Sequence, residues 1–261
     1  MNELALFAGA GGGILGGKLL GWRTVCAVER DAYAAQVLAQ RQNDGHLEPF
    51  PIWSDVTSFD GKPWRGIVDV VSGGFPCQDI SVAGKGAGIT GARSGLWKEF
   101  ARIIGEVRPR YAFIENSPAL VTRGLGTVIC DLAALGFDAE WGVISAADVG
   151  ANHRRERLWV VADSGEKRHE LAEHEIQAGR DAFIYGREGL ADFYKAQREG
   201  MQCACGSDQE HADIGARSWW ETEPRLDRVA NGLAYQVDRL AAIGNGQVPL
   251  CAATAWEVLT Q

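Results

Sequence analysis

Short apolar runs alternate with helical patterns along the first part of the chain. Four of these runs predict strands, and they lie at Leu4–Phe7, Thr24–Val28, Val68–Val71 and Tyr111–Ile114. Between them, residues 31–42 and 95–107 carry apolar side chains at helical spacing. This alternation predicts an α/β fold with a mostly parallel sheet and helices on both of its faces.

The pattern changes in the second half of the chain. Two β-rich stretches, Trp141–Ser145 and Leu158–Ala162, flank a basic cluster and predict an antiparallel pair at the sheet edge. Residues 163–217 are polar and lack apolar periodicity, which indicates a small inserted region. Apolar content then returns, and a helix is expected at residues 248–259 with Pro249 in its first turn. The chain therefore divides into a main domain of residues 1–162 and 218–261 and a small region of residues 163–217.

Composition narrows the class of protein. The chain has 261 residues, of which 46% are hydrophobic, so it can bury one large core. A formal net charge of −8 argues against bulk attraction of nucleic acid, so any nucleic-acid site is expected to be a local basic cleft. Six scattered cysteines favour reduced thiols. No apolar run approaches the roughly 18 residues of a membrane span, and the amino terminus lacks a basic secretory start, so a cytoplasmic location is expected.

A glycine-rich segment follows the first predicted strand, where a backbone turn can approach a ligand closely. A plain tight turn is the alternative. Glu29 ends the second predicted strand and can accept hydrogen bonds from both hydroxyls of a ribose. Asp55 follows the apolar stretch Phe50–Trp53 and can accept from an adenine amino group, although such residues more often cap turns. Because the chain lacks a Gly-Lys-Ser/Thr motif, a nucleoside cofactor without a triphosphate fits best.

Three kinds of reactive side chain follow in order along the chain. Cys77 comes after the strand pattern of residues 67–72, so its thiol is expected at the carboxyl end of that strand, where open α/β sheets bind ligands. Glu115 ends the fourth predicted strand, and a basic cluster occupies residues 153–157. Each has an ordinary explanation alone: a buried inert thiol, a strand-ending turn, and a solvated basic surface. Together, a nucleophile, an acid and a cation describe a reaction.

These blocks, in this order, resemble the DNA (cytosine-5)-methyltransferase family. The matching blocks are Phe7–Gly12, Gly74–Gln78, Glu115–Asn116, Arg155–Arg157 and Gly244–Pro249, and the match covers nearly everything outside residues 163–217. The resemblance implies a Rossmann-like S-adenosylmethionine-dependent methyltransferase fold. It also implies S-adenosylmethionine as methyl donor, S-adenosylhomocysteine as product, and a flipped cytosine of duplex DNA as acceptor.

The resemblance assigns roles to four catalytic residues. The Cys77 thiolate would add to carbon 6 of cytosine and activate carbon 5. Glu115 would hold a proton at ring nitrogen N3, which requires a raised carboxyl pKa. Arg157 would contact the O2 carbonyl, and Arg155 would support the carboxylate or the neighbouring loop. The chain departs from the common family pattern at Asn152 and His153, where Pro-Gln is usual.

The donor pocket is likewise expected from the resemblance. It would be formed by Phe7, Ala8, Gly9, Gly11, Gly12, Glu29, Asp55, Val56, Gly74, Pro76, Leu96, Asn245 and Gly246. The glycine-rich segment of residues 81–94 would close over DNA, although it also has the composition of an ordinary mobile surface loop.

Target recognition would fall to the small region of residues 163–217. A short recognition sequence is expected because this region is short. Cys203, Cys205 and His211 suggest zinc, but their spacing is unsuitable and a fourth ligand is not evident, so no metal is predicted. Duplex DNA is the expected partner, a cognate restriction endonuclease can accompany the enzyme, no membrane is involved, and the chain is expected to act as a monomer.

Two other functions stay open from the sequence. A related branch of the family methylates cytosine in tRNA with the same chemistry, and a catalytically silent DNA-binding regulator can retain the fold. An amino-methylating DNA enzyme lacks support because its Asp/Asn-Pro-Pro-aromatic motif is absent. A nicotinamide oxidoreductase would leave Cys77, Glu115 and Arg157 unexplained.

Overall fold

Seven strands form one sheet in the part of the chain that the structure, a computed structural model, describes: residues 1–76, 95–165 and 246–261. The strands are β1 (Asn2–Leu6), β2 (Arg23–Val28), β3 (Ile52–Trp53), β4 (Val70–Gly74), β5 (Tyr111–Asn116), β6 (Asp138–Ile144) and β7 (Arg157–Asp163). Their order across the sheet is β3-β2-β1-β4-β5-β7-β6.

The helices are α1 (Gly12–Leu19), α2 (Ala32–Asn43), α3 (Leu96–Val107), α4 (Leu120–Arg123), α5 (Leu125–Ala134) and α6 (Pro249–Leu259). Three short 3₁₀ turns lie at Val56–Ser58, Lys62–Trp64 and Ala147–Val149. The helices α2, α3 and α6 lie within one residue of the ranges predicted for them, 31–42, 95–107 and 248–259. The Asp31 side chain caps α2 by accepting from the Ala34 N–H at 2.8 Å. The α3 helix ends before Pro109, and α6 begins at Pro249.

The first five strands of this sheet order are parallel, β7 runs in the opposite direction, and β6 at the edge again runs in the direction of the first five. β1 pairs in parallel with β2 and β4, while β2 pairs with β3 and β4 pairs with β5 in the same sense. β7 is antiparallel to both β5 and β6, so the predicted antiparallel pair at the sheet edge is confirmed. Because β7 runs against β5, its amino end lies at the same sheet edge as the carboxyl ends of β4 and β5.

Side chains alternate between the two faces of the sheet, as strand geometry requires. Leu4 and Leu6 of β1 enter a core cluster with α3, α4 and α5. Ala5, between them, packs on the opposite face with Ile14 of α1 and Leu38 of α2. The helix α6 lies on this second face, where Trp256 makes edge contacts with aromatic rings of the sheet. Helices on both faces are therefore confirmed.

Several predictions fall outside the described residues. Residues 166–245, which include nearly all of the proposed recognition region, are not described, and the domain boundaries at 162 and 218 stay predictions. The described residues belong to one compact unit of residues 1–167 and 237–261. Within the described ranges, the helices are all too short or too polar to cross a membrane.

Candidate active site

The site is built at the edge where β4 and β5 end and β7 begins. Glu115 is the penultimate residue of β5 and pairs with Trp159 of β7. It lies on the same face as Phe113, two residues earlier, which packs against Trp256 of α6. Arg157 lies two residues before Trp159, so it projects from the same face as a diagonal neighbour of Glu115. Strand register therefore brings the acid and the cation together.

Glu115 is buried, with 9% of the residue's surface exposed. Its Oε1 atom forms an ion pair with Arg157 Nε at 2.9 Å, and the side chain of Gln247 also hydrogen-bonds to it. Burial raises the pKa of Glu115, because the charged form loses water. The charge of Arg157, the Gln247 hydrogen bond and the charge of Arg155 act in the opposite direction. The site thus holds a carboxyl group that favours protonation while it faces two cations.

Asn116 links this acid to the segment that leads into Cys77. Its Nδ2 atom donates to the Phe75 carbonyl at 3.1 Å, and its Oδ1 accepts from the Ser117 N–H at 2.8 Å. The Phe75 ring is buried against Trp97 of α3, with ring centroids 5.4 Å apart. Cys77 itself lies outside the described residues, so its role stays a prediction. Its immediate approach, through residues 75 and 76, is fixed beside the end of β5.

Arg155 holds the loop before β7 to the segment before α6. Its backbone is left-handed, with φ at 38°, which is uncommon for a residue with a side chain. Its Nη2 atom donates to the Gly246 carbonyl. Burial lowers the pKa of Arg155, although the guanidinium stays charged at neutral pH. Arg155 therefore contacts backbone here, in keeping with the loop-supporting role that the resemblance implied.

In the glycine turn after β1, every second residue has a left-handed backbone: Phe7 (φ 51°), Gly9 (φ 54°) and Gly11 (φ 88°). The Gly9 N–H donates to Glu29 Oε2 at 2.6 Å, and the Asp31 N–H donates to Glu29 Oε1 at 2.6 Å. A carboxylate offers about four lone-pair positions, so these two bonds leave acceptor capacity for the hydroxyls of a ribose. The turn and Glu29 therefore fit a nucleoside cofactor.

Asp55 occupies a turn position. Its Oδ1 atom accepts from the Thr57 N–H at 2.9 Å and from the Thr57 hydroxyl at 2.8 Å. The backbone hydrogen bond from Thr57 is the main reason that the pKa of Asp55 is lowered. This is the capping role that was the alternative for Asp55, and a contact with adenine stays a prediction. Its neighbour Val56 is buried in the core, and Leu96 packs against that core from the first turn of α3.

Two cavities border the site. The smaller, of about 30 Å³, is lined by six of the predicted residues, Phe7, Ala8, Gly9, Gly74, Glu115 and Gly246, together with unpredicted neighbours. The larger, of about 430 Å³, is lined by Gly12, Arg155 and Gly246, with Tyr33 and Arg41 of α2. Gly11, Glu29, Asp55, Val56, Pro76 and Leu96 line neither of these cavities. Asn245 lies outside the described residues. The described ranges contain no cluster of three residues able to hold a metal ion.

Gln247 was expected only as a member of the last block, which the resemblance places with Asn245 and Gly246 at the methionine end of the donor pocket. Its contact with Glu115 was not predicted. Its side chain packs close to Gly13 and Gly74. A Cβ at Gly13 would lie 2.3 Å from Gln247 Oε1, and a Cβ at Gly74 would lie 3.1 Å from Gln247 Nε2. Glycine at positions 13 and 74, each next to another glycine, was the signal that a side chain packs there.

Glu29→Ala is expected to weaken binding of S-adenosylmethionine roughly tenfold or more, because hydrogen bonds to a charged acceptor are among the stronger ones. Calorimetric titration with the donor measures the change. Glu48→Ala removes the same charge from an exposed position and serves as the matched control. Equal affinity in wild type and Glu29→Ala would contradict the ribose assignment.

Gly74→Ala is expected to damage activity more than stability. A Cβ at this position overlaps Glu115 Oε2, and Arg157 and Gln247 hold that carboxylate in place. Overpacking of this kind costs about 1–3 kcal/mol of unfolding free energy. We expect a loss of more than about tenfold in kcat/KM, since small displacements at a reacting centre are costly. Gly126→Ala, where a Cβ meets nothing within 4 Å, is the control, and equal activity of both variants would refute the expectation.

The chain has the Rossmann-like fold of S-adenosylmethionine-dependent methyltransferases, with a mostly parallel sheet, a glycine turn after β1 and an acid after β2. A DNMT2 variant from Spodoptera frugiperda has a similar fold, with a TM-score of 0.52 and 21% identity. That similarity covers 64% of this chain and 51% of the DNMT2 chain.

The chain belongs to the C-5 cytosine-specific DNA methylase family, whose model matches residues 1–210. It is similar to Type II methyltransferase M.Eco47II of Escherichia coli, with 36% identity over 166 residues, covering 61% of this chain and 38% of the relative. Type II methyltransferase M.PspPI of Psychrobacter sp. (strain TA137) is 37% identical over 162 residues, covering 60% and 38%. The matched region is less than half the length of these two relatives. The predicted family and fold class are confirmed.

Proposed function

We propose that this chain transfers a methyl group from S-adenosylmethionine to carbon 5 of cytosine within a short sequence of duplex DNA. The observation that carries the proposal is the ion pair between buried Glu115 and half-buried Arg157, 2.9 Å apart, at the sheet edge where residues 75 and 76 lead into Cys77. Family membership supplies the reaction class, and this pair supplies groups suited to a cytosine ring.

Cytosine carbon 5 is a weak nucleophile, so the reaction needs activation of the ring. In the proposed step, the Cys77 thiolate forms a sulfur–carbon bond at carbon 6. The electrons of the carbon 5–carbon 6 double bond are then available at carbon 5, and N3 gains a proton or a strong hydrogen bond. The ring becomes an enamine that can attack an electrophilic methyl carbon, which S-adenosylmethionine supplies when bound.

Glu115 is suited to the N3 position because burial raises its pKa. A raised pKa lets a carboxyl group keep its proton to higher pH, and the protonated group can donate to N3 and accept from the exocyclic amine of the same base. Arg157 is anchored on one side by Glu115 and donates from Nη1 to the Glu156 carbonyl at 2.8 Å. This anchoring orients its guanidinium, which can then stabilise negative charge developing at the O2 carbonyl.

After methyl transfer, carbon 5 carries both a methyl group and a proton. Loss of this proton to solvent returns its bonding electrons to the ring, and the carbon 6–sulfur bond breaks to release Cys77. In the described residues, Glu29, Gly9 and Gly246 would hold the donor next to the cavity that Glu115 also lines, so that the methyl group can reach carbon 5 of the base. These residues therefore position the two reactants, which is a large part of the catalytic gain in a bimolecular transfer.

The target base is stacked inside a duplex, so it must be extruded at a cost of about a few kcal/mol. We assign loop closure to residues 81–94 and sequence reading to residues 163–217, both as sequence-based predictions. A cognate restriction endonuclease fits the restriction-modification names of the relatives, and the enzyme is proposed to act as a monomer.

The test is transfer of a tritiated methyl group from S-adenosylmethionine to mixed-sequence duplex DNA, followed by nucleoside analysis and bisulfite sequencing. Parallel reactions contain tRNA, and donor binding is measured separately. Product as 5-methylcytosine in duplex DNA at a recurring short sequence supports the proposal. Product only in tRNA identifies the RNA enzyme, and sequence-specific DNA binding without transfer identifies the silent regulator. Either of these two outcomes overturns it.

A further inference from the structure

We infer that Gln247 is a positioning residue that controls the orientation and protonation of Glu115. The inference rests on the proposed function, because it assigns a task at the same site. Gln247 lies two residues before α6, on the sheet face from which Glu115 projects. Its side chain hydrogen-bonds to the Glu115 carboxylate. The amide group therefore contacts the proposed proton donor directly, at the edge where the cytosine is expected.

Close packing places Gln247 against three glycines. Gln247 Oε1 lies where a Cβ of Gly13 would be, and the Gln247 backbone carbonyl lies where a Cβ of Gly12 would be. Gln247 Nε2 is 3.1 Å from the Cβ position of Gly74, the same position that Glu115 Oε2 occupies from the other side. Gly13 and Gly74 thus make room for the Gln247 amide and Gly12 for its backbone carbonyl, so the residue is held beside the carboxylate, and a half-turn of the amide only exchanges two groups of similar size.

The chemistry of an amide differs from that of the other neighbours of Glu115. Arg157 and Arg155 can only donate hydrogen bonds, so they favour the ionised carboxylate. The Gln247 amide donates from Nε2 to the carboxylate, and after a half-turn it accepts at Oε1 from the protonated carboxyl group. Among the described contacts of Glu115, Gln247 is the one able to accompany the acid through both protonation states. This property suits a residue that must give and retain a proton in one catalytic cycle.

The sign of the effect on Glu115 follows from the contacts in the structure. In the observed arrangement, the Gln247 hydrogen bond lowers the pKa of Glu115, and burial raises it. Removing the donor by Gln247→Leu must therefore raise the pKa further. Gln247→Glu adds a negative charge next to the carboxyl group and raises the pKa most. If protonated Glu115 is the active form, the alkaline limb of kcat/KM moves to higher pH in the order wild type, Gln247→Leu, Gln247→Glu.

The experiment measures methyl transfer by the full chain across pH, with Leu250→Ala as control, since Leu250 is 49% exposed in the first turn of α6. We expect Gln247→Leu to lower kcat/KM at its optimum roughly tenfold and to move the alkaline limb upward by about half a pH unit or more. A loss of packing alone would lower the rate without an ordered shift of the limb. Equal limbs in all three proteins overturn the inference.

A second readout does not depend on catalysis. Infrared spectra of wild type and Glu115→Gln differ by the carbonyl band of the protonated Glu115 carboxyl group, and its midpoint is followed against pH. The midpoint is expected to rise in the same order across the two Gln247 variants. An ordered shift without methyl transfer in wild type supports the Gln247–Glu115 coupling and overturns the proposed function. Active wild type with an unchanged midpoint overturns only the inference. Because Gln247→Glu preserves size, it tests the coupling even if Gln247→Leu unfolds.

Discussion

Cys77→Ser is expected to reduce methyl transfer by roughly a thousandfold or more while binding of DNA and donor is largely retained. A serine hydroxyl is poorly ionised at neutral pH, so it cannot replace the thiolate that adds to carbon 6. The side chains differ by one atom, and Phe75 and Asn116 hold the preceding segment in place without contribution from the thiol. The loss should therefore appear in kcat and not in affinity.

Duplex DNA with 5-fluorocytosine at the target position tests this directly. Fluorine cannot leave carbon 5 as a cation, so the covalent adduct should persist after methyl transfer and appear as a shifted band in a denaturing gel. Wild type is expected to form the adduct and Cys77→Ser to form none. Cys130→Ser is the matched control, because Cys130 is a free cysteine on the surface of α5. Adduct formation by Cys77→Ser would assign the nucleophile elsewhere.

Glu115→Gln is expected to lower kcat by roughly a hundredfold or more, the range typical of a positioned acid or base. The amide keeps the shape of the side chain and its place in the β5 register with Trp159. It can still form a neutral hydrogen bond to N3, but it cannot transfer a proton there. The formation of the Cys77 adduct should be slowed, since protonation at N3 assists that addition.

Single-turnover kinetics with 5-fluorocytosine DNA separate this effect from binding. We expect the adduct of Glu115→Gln to form slowly at unchanged DNA affinity, and Glu48→Gln, an exposed substitution, to behave as wild type. Adduct formation at the wild-type rate would remove Glu115 from the addition step. The pH profile of the wild type should lose activity as pH rises through the raised pKa of Glu115, because the protonated form is the active one.

The apolar pattern predicted much of the sheet because long buried strands leave a strong signal. Residues 158–162 are buried on both faces of β7, and the predicted strand differs from the observed one by a single residue at each end. β6 begins at Asp138, three residues before its predicted start, because exposed polar residues there extend the ladder with β7. Within the apolar stretch Phe50–Trp53 only Ile52 and Trp53 pair as a strand, since Phe50 packs in the core beneath α1 and α2.

Site residues that lie at strand ends could be predicted from the sequence. Those whose position depends on packing between distant segments could not. Glu115 and Arg157 each adjoin a predicted strand, and parallel topology brings such ends to one edge. The position of Gln247 depends on the docking of α6 against α1, which no local pattern encodes. Asp55 illustrates a different limit, because the same residue type caps turns and binds adenine.

The direction of β7 sets a geometric rule for exchanging the segment that follows it. β7 ends at Asp163 beside Tyr111, at the sheet edge remote from the site, and Gly246 is back at the site edge. A strand of seven residues at about 3.3 Å per residue separates the two edges by roughly 23 Å. A segment grafted between Gly165 and Gly246 must contain at least about seven residues to span this gap. The entropic cost of closing the loop grows only slowly with its length, so a longer grafted segment costs little extra stability. The minimum length, set by the gap, is therefore the stricter limit on chimaeras.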